Sequence, residues 1–300
     1  MSDLEQFDRF WNYGDPAATE AKFRELLPQA ESGSDLHLQL LTQIARTHGL
    51  RGQFDESGAL LDEVEGQLSD ATPVARVRYL LERGRSRNSS GQPDRGREQF
   101  LAAWDLAREQ GAEFHAVDAA HMLGIVEPHE KQVEWAENAM GYAEQANDPR
   151  AKGWLGPLYN NLGWTYHELG RLDDALETHR KGWEFRQDYD RRRAEKDESF
   201  TPPSRETLIA KWAYARMLRS LARHDDAMAV QNELLADWEA FGEPNGFVFE
   251  ELAESLVATG HAAEATPHFQ RALDLLKQID WFVRNEPERL ARLEEMAAGS

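Results

Sequence analysis

The segment 158–182 restricts the possible fold more than any other part of this sequence. Leu162 and Tyr166 fall on one face of a predicted helix, with the small residue Gly163 beside them. Gly170 then interrupts the helical pattern, and a second apolar stripe at helical spacing follows it. The segment therefore predicts a helix, a tight turn and a second helix.

This segment resembles a tetratricopeptide repeat, in which small residues at one position of the first helix and two of the second let the helices pack closely. When that pattern is laid along the chain, fifteen of the eighteen small positions hold Gly, Ala, Ser or an equivalent small side chain, and Val64, Gln132 and Leu234 are the exceptions. The small residue of each predicted first helix is, in order, Ala45, Gly84, Ala120, Gly163, Ala215 and Ala253. The resemblance implies an all-α, right-handed α-α superhelix, a solenoid of about six helical hairpins with capping helices.

The resemblance also implies a single repeat array over residues 1–300. Asp15 is expected to be the N-cap, and Pro16 the first residue, of the first capping helix. The expected parts are an N-terminal cap hairpin at 1–33, the first four repeats at 34–197, the last two repeats at 198–278, and a C-terminal capping helix at 279–300. An insertion at 186–205 separates the fourth repeat from the fifth and leaves the curvature there open.

Composition excludes several classes of site and partner. The chain has no cysteine, which excludes disulfides, thiolate zinc sites and cysteine nucleophiles. Its 54 acidic and 34 basic residues give a formal charge of −20, which repels phosphate backbones and anionic lipids. We therefore expect no nucleic-acid or membrane partner. The N-terminus shows no basic region followed by an apolar run, so we expect a cytoplasmic protein.

The first helices of such repeats line a concave groove, so the resemblance implies that a protein or peptide binds there. Arginines and aromatic residues recur at the groove positions of this chain, which indicates an acidic or carboxylate-terminated partner. The expected groove residues are Arg46, Arg78, Arg85, Asn88, Asp118, His121, Asn160, Asn161, Trp164, His167, Trp212, Arg216, Glu250 and Glu254.

Some members of the family hold a C-terminal carboxylate with a clamp of lysines, asparagines and an arginine. Asn161 and Arg216 match two positions of that clamp, whereas Val117, His121 and Trp212 replace the other three. The resemblance therefore implies a general binding groove and not this particular mode of recognition.

Two alternatives stay open at the level of sequence. The arginines can instead pair with acidic residues of neighbouring helices, and the tryptophans can be packing residues. The groove can also bind a small anionic ligand or, as a more distant alternative, carry an enzyme site around His121 and Trp164.

The case for catalysis rests on one histidine cluster. His115, Asp118 and His121 are spaced three residues apart on one predicted helix, but they match no established metal or catalytic signature. His129 and His179 fall on the side of the second helices, where a structural role is expected. We therefore expect a scaffold or adaptor protein without enzyme activity, cofactor or metal.

Overall fold

The computed structural model describes residues 3–4 and 6–299, with the side chains of 129 and 130 left out. The described residues form helices and connecting turns, with no strand among them. Two short 3₁₀ helices occur at Phe7–Phe10 and Leu27–Gln29. The α-helices are α1 Pro16–Leu26, α2 Asp35–Leu50, α3 Phe54–Glu65, α4 Pro73–Ser89, α5 Pro93–Glu109, α6 Glu113–Val126, α7 His129–Gln145, α8 Pro149–Gly153, α9 Leu155–Glu168, α10 Leu172–Ala194, α11 Arg205–Ser220, α12 His224–Phe241, α13 Gly246–Ala258, α14 Ala262–Leu276, α15 Asp280–Asn285 and α16 Pro287–Ala297.

The chain divides into two compact units, Met1–Leu158 and Tyr159–Ser300. In the first unit, α2 packs on α3, α4 on α5, and α6 on α7. In the second unit, α11 packs on α12 and α13 on α14, and Gly163 of α9 lies against His179 of α10. Each unit is thus a stack of consecutive helix pairs, and the predicted all-α, tetratricopeptide-like solenoid fold is confirmed.

The small residues mark where the paired helices touch. All six small residues of the first helices are buried, and they lie in α2, α4, α6, α9, α11 and α13. Their partner positions lie in α3, α5, α7, α10, α12 and α14 and are also buried, apart from the half-buried Gln132. The predicted exceptions Val64 and Leu234 are fully buried, which shows that a larger apolar residue also fits these two contacts.

Glycine is required at two of these contacts because a side chain there would strike a ring. A Cβ at Gly163 would lie 2.6 Å from Cδ2 of His179, and a Cβ at Gly84 would lie 2.6 Å from Cε1 of Phe100. We expect Gly163→Ala and Gly84→Ala each to lower the free energy of unfolding by about 1–3 kcal/mol, because the helices must move apart. Gly141 is the control, since nothing lies within 4 Å of a Cβ built there.

In urea unfolding, Gly141→Ala should stabilise the protein by about 0.5–1 kcal/mol, because alanine is the better helix former and meets no obstacle. Equal effects of the three substitutions on the free energy of unfolding would show that the assigned helix contacts are wrong.

Both ends of the chain cover an apolar face. The predicted N-cap is confirmed, because the Asp15 carboxylate accepts a hydrogen bond from the backbone N–H of Ala18 at 3.0 Å. Phe7 packs edge-on against Phe23 of α1, with ring centroids 5.7 Å apart. At the other end, Phe282 of α15 and residues of α16 are buried against α13 and α14.

The insertion after the fourth hairpin lengthens α10 and is fixed by one buried carboxylate. Asp190 accepts hydrogen bonds from the backbone N–H of Ser204 at 2.7 Å and from Oγ1 of Thr207 at 2.6 Å. These bonds hold the start of α11 against the last turn of α10. In the described part of the chain, no helix combines the length and the apolar character needed to cross a membrane.

Candidate functional site

The predicted groove residues fall into both units and are described unit by unit. Those of the first unit lie on α2, α4 and α6, and those of the second on α9, α11 and α13. We call these the first-unit face and the second-unit face. The first-unit face carries Arg46, Arg78, Arg85, Asn88, Asp118 and His121; the second carries Asn160, Asn161, Trp164, His167, Trp212, Arg216, Glu250 and Glu254.

A buried ion-pair network joins the three helices of the first-unit face. Arg85 donates to Oε1 of Glu82 at 2.8 Å and also bonds Asp118 of α6. Arg46 of α2 donates to the same Oε1 at 3.4 Å, as does the Gln43 amide at 3.3 Å. The arginines of this face therefore have acidic partners within the chain, and the alternative that they pair with neighbouring helices is confirmed for Arg46 and Arg85.

The N-terminal segment supplies the partner of the third arginine. Arg78 donates to both carboxylate oxygens of Asp8, one of them at 3.0 Å, and its guanidinium lies 5.0 Å from the Phe7 ring centroid. Arg150 lies 3.8 Å from the same carboxylate. The segment before α1 thus lies on the first-unit face as well as covering the end of the core.

Charge states at this face follow from burial and from the arginines. Burial, followed by the Arg78 guanidinium, lowers the pKa of His115 to about 3, so this histidine is neutral at pH 7. Burial alone would raise the pKa of Asp118, but Arg85 and Arg46 outweigh it and hold the pKa below its usual value. On this face three carboxylates (Asp8, Glu82 and Asp118) meet three guanidiniums (Arg46, Arg78 and Arg85). The nearby Arg150 has a carboxylate of its own, Asp148, at 2.9 Å.

A cavity of about 320 Å³ lies on this face, and we call it the first-unit cavity. Aromatic rings from the N-terminal segment, α6 and the end of α8 line it together with the charged side chains. Its walls are Asp8, Trp11, Tyr13, Gln43, Arg46, Arg78, Leu81, Glu82, Phe114, His115, Asp118 and Trp154. Asn88 lines a smaller cavity of about 180 Å³, which shares Arg46 and Glu82 with the first.

The second-unit face carries a row of aromatic rings. Trp164 of α9 and Trp212 of α11 have ring centroids 6.2 Å apart, and Trp212 and Phe247 of α13 follow at 6.0 Å. The Arg216 guanidinium lies over both indoles, 5.4 Å from Trp164 and 5.7 Å from Trp212. Both tryptophans are half-buried, so the row offers partly exposed aromatic surface beside a cation.

With the C-terminal helix included, four guanidiniums (Arg216, Arg219, Arg289 and Arg292) meet three carboxylates (Glu250, Glu251 and Glu254) at the second-unit face. Arg216 and Arg219 of α11 both bond the buried Glu251 of α13, Arg216 at 3.0 Å and Arg219 at 2.5 and 3.1 Å. Burial lowers the pKa of Arg216, and the nearby Arg289 and Arg219 lower it further while Glu251 opposes them. Two cations sharing one carboxylate leave a local surplus of positive charge.

The two predicted glutamates of this face form ion pairs with arginines of the C-terminal helix α16. Arg289 of α16 bonds both oxygens of Glu250 at 2.6 Å, and Arg292 bonds both oxygens of Glu254 at 3.0 and 2.9 Å. Burial raises the pKa of Glu250 even though Arg289 lies beside it. These carboxylates therefore attach α16 to α13.

The remaining polar residues of this face lie at its α9 end. Asn160 donates to the side-chain oxygen of Asn161 at 3.3 Å, and the imidazole of His167 lies 3.1 Å from the Ser220 hydroxyl of α11. Burial, followed by Arg216, lowers the pKa of His167. Next to Arg216 there is thus a neutral hydrogen-bonding group.

The predicted histidine cluster is not arranged as a metal site. Asp118 bonds Arg85, His115 is buried near Arg78 and Asp8, and the His121 ring packs on Trp154 at 4.9 Å. Within residues 3–4 and 6–299, no group of three or more His, Asp or Glu side chains is placed to hold a metal ion. The side chain of His129 lies outside the described residues.

Sequence reasoning missed several residues that build these faces. Trp11 and Tyr13 belong to the expected N-terminal cap hairpin, Trp154 ends the short helix α8, and Glu82 and Glu251 are not among the predicted groove residues. Glu82 carries a usable signal, because it lies one helical turn before Arg85 on the same helix. Glu251 carries none, because its partners Arg216 and Arg219 lie on α11 in the preceding hairpin. The folding back of the N-terminal segment left no such signal.

Another cavity, of about 690 Å³, lies away from both faces. It lies between α10, the segment after it, α11 and α12, and Trp183, Pro203 and Lys211 are among its walls. The Lys211 ammonium bonds Asp237 at 2.8 Å and Glu233 at 3.0 Å. The cation here is therefore already neutralised by two carboxylates.

Comparison with known proteins identifies the repeat. Residues 158–188 match the family model described as tetratricopeptide repeat. No curated protein sequence matches the chain significantly.

Solved structures extend the similarity to most of the chain. The apo form of RapI is 11% identical with a TM-score of 0.71, and the alignment covers 93% of this chain and 76% of RapI. The apo quorum sensor NprR from B. thuringiensis is 13% identical with a TM-score of 0.61, covering 97% of this chain and 79% of NprR. NprR has also been solved in complex with its cognate peptide NprX.

A signal transduction ATPase with numerous domains and a tetratricopeptide repeat sensor, from Pyrococcus horikoshii, is 12% identical with a TM-score of 0.67. The alignment covers 93% of this chain but only 41% of that ATPase, so this chain spans less than half of its length. At these identities the likenesses show the fold alone.

Proposed function

Because this chain is a tetratricopeptide-repeat protein, we propose that it is a scaffold that binds a protein or peptide without catalysing a reaction. The partner docks on the second-unit face through an acidic side chain or a C-terminal carboxylate. The observation that carries the proposal is the sharing of buried Glu251 by two guanidiniums, Arg216 and Arg219, beside two half-buried tryptophans.

The charges of the two faces favour the second for an anion. On the first-unit face the arginines are matched by as many carboxylates, so an added anion gains little net attraction. On the second-unit face the Arg216 side chain is 24% exposed although its Nε atom is buried. A partner carboxylate that bonds the exposed part of this guanidinium would offset the surplus charge, while Trp164 and Trp212 contact the apolar part of the partner.

The solved complex of NprR with its peptide supports this proposal by analogy of fold. Groove residues predicted from sequence are part of it: Trp164, Trp212 and His167 lie near Arg216. Asn160 and Asn161 belong to the same face on α9. A small anionic ligand at Arg216 is the second candidate, since the same surplus charge favours it. Such a ligand would bind without a peptide chain in contact with the tryptophans.

The proposal is tested with short displayed peptides that differ only in an acid or its amide. Selected peptides with Asp, Glu or a free C-terminus should bind the full chain at least about tenfold more tightly than their amide counterparts, the effect of one charge-assisted bond of about 1.5–3 kcal/mol. Arg216→Met should abolish this preference. It should leave the melting temperature nearly unchanged, because Arg219 still bonds both oxygens of Glu251.

Arg223→Met is the matched control. It removes the same charge from an exposed pair on the same unit and should leave the acid preference intact. Peptides that bind equally well in acid and amide form, or that bind Arg216→Met as tightly as wild type, would contradict the proposed recognition of carboxylates.

A further inference from the structure

We infer that the first-unit cavity binds a small zwitterion, an α-amino acid with an aromatic or large apolar side chain. The inference is independent of the peptide site on the second-unit face, because every residue that carries it belongs to the first unit. Its basis is the juxtaposition in one cavity of balanced charges, unpartnered buried polar atoms and aromatic walls.

The size of the cavity sets the size of the ligand. A volume of about 320 Å³ lies at the lower end of the range of about 300–1,000 Å³ that small-molecule pockets occupy. A single amino acid fits such a space, whereas an extended peptide does not. Tyr13 lines the cavity and is 60% exposed, so its ring lies where the cavity meets solvent and a ligand can enter.

Glu82 provides the acceptor for a ligand ammonium. Its Oε1 atom accepts from Gln43, Arg46 and Arg85, whereas its Oε2 atom has no hydrogen-bond partner among the described residues. Glu82 is only 3% exposed. A buried carboxylate oxygen without a donor is unusual in proteins, and an ammonium group would supply both the donor and the opposite charge.

Two arginines provide the donors for a ligand carboxylate. Nε of Arg46 and Nε of Arg78 are buried without a hydrogen-bond partner among residues 3–4 and 6–299, and both side chains line the same cavity. Their terminal nitrogens already bond Glu82 and Asp8. The Nε groups of both arginines and Oε2 of Glu82 are covered by surrounding atoms, so these three side chains turn toward the ligand when it binds.

The balance of charge selects for a zwitterion over a simple ion. Three carboxylates and two guanidiniums line the cavity, and Arg85 beside it bonds two of those carboxylates, Glu82 and Asp118. A ligand with one charge would leave the opposite set of unpartnered atoms unsatisfied. A molecule with an ammonium and a carboxylate a few bonds apart satisfies both sets and keeps the site neutral.

The aromatic rings define the rest of the ligand. Trp11 and Tyr13 are stacked with centroids 5.0 Å apart, and Phe114 and Trp154 lie 6.0 Å apart. All four line the cavity. Rings in this number favour an aromatic or large apolar side chain, and they also attract an ammonium through their faces.

The experiment measures binding of phenylalanine and its two single-charge analogues to the full chain by titration calorimetry. Phenylalanine should bind, whereas phenethylamine, which lacks the carboxylate, and phenylpropionate, which lacks the ammonium, should each bind at least tenfold more weakly. Equal affinity for phenylalanine and either analogue would overturn the inference, as would the failure of every proteinogenic amino acid to bind.

Substitutions of cavity residues test whether the amino acid binds in this cavity. Glu82→Gln should weaken phenylalanine binding at least tenfold, whereas the control Glu127→Gln, which alters another buried glutamate of the same unit paired with Arg97, should not. If Glu82→Gln fails to fold, Tyr13→Ala replaces it, since Tyr13 is largely exposed and its loss should weaken binding severalfold without changing the melting temperature. Unchanged affinity in the folded variant would show that the amino acid binds elsewhere, and the inference would fall.

Discussion

Arg85→Ala is expected to lower the free energy of unfolding by about 3–5 kcal/mol, the cost of removing one partner from a buried ion pair. Arg85 bonds both Asp118 and Glu82, and these carboxylates are 4% and 3% exposed. Burial alone would lower the pKa of Arg85, but Asp118 and Glu82 outweigh it and raise the pKa overall. Without the guanidinium, Asp118 would be a buried charge lacking its main partner.

Urea unfolding of Arg85→Ala, Asp118→Ala and the double variant measures this network. The double variant should lose less unfolding free energy than the sum of the losses in the two single variants, because it removes both members of the pair. Arg76→Ala is the control on the same helix: its pair with Asp70 is exposed, so about 0–1 kcal/mol is expected. If Arg85→Ala behaves like Arg76→Ala, the network does not stabilise the first unit.

Lowering the pH from 7 to 5 is expected to destabilise the protein by about 2 kcal/mol for each of two buried histidines. Burial lowers the pKa of His179 to about 4 and, with Arg78, that of His115 to about 3, against about 6.5 in an unfolded chain. Below about pH 6.5 the unfolded chain therefore binds protons that the folded protein does not. Stability is present above this pH and is lost as the pH falls toward the folded values.

Two histidine variants separate the contribution of His179 to the pH dependence from that of other titrating groups. His179→Gln should reduce the loss of unfolding free energy between pH 7 and pH 5 by about 2 kcal/mol, because the unfolded chain then has one proton-binding site fewer. His261→Gln alters an exposed histidine and should leave the pH dependence as in wild type. An identical pH dependence in all three proteins would mean that His179 is not held neutral by burial.

The helix pairs could be predicted because the information for them is local. The contact of Gly163 with His179 and that of Gly84 with Phe100 join helices within one hairpin, so short-range spacing in the sequence records them. The turn after α11 was not predicted by its residue type. Ala222 occupies the turn position at which four other repeats have glycine (Gly52, Gly91, Gly170 and Gly260), and it adopts the same left-handed conformation with φ of 56°.

The two candidate faces were predicted less completely, because ion pairing depends on neighbours distant in sequence. The resemblance assigns Arg46, Arg85 and Arg216 to first helices of the hairpins, where the structure has them. Their partners Glu82, Asp118 and Glu251 belong to the next hairpin in each case. Whether a face is charge-balanced or has a surplus depends on how many guanidiniums share each carboxylate. That number follows from tertiary distances and not from the composition of one helix.

The first-unit face was predicted least well. One wall of its cavity is the segment around Asp8 and Trp11. This segment has no repeat pattern in its sequence that would predict where it packs. Arg78 and Asp8 are 70 residues apart in sequence, so no local pattern connects them.

The proposed function is tested most directly by hydroxyl-radical footprinting of the tryptophans, with and without a selected acidic peptide. Oxidation of Trp164 and Trp212 should fall when the peptide binds, because both line the proposed site. Trp183, which lines the large cavity on α10, and Trp281, which is 55% exposed, should be oxidised to the same extent in both samples. Protection of Trp183 or Trp281 with no change at Trp164 and Trp212 would contradict binding at the second-unit face.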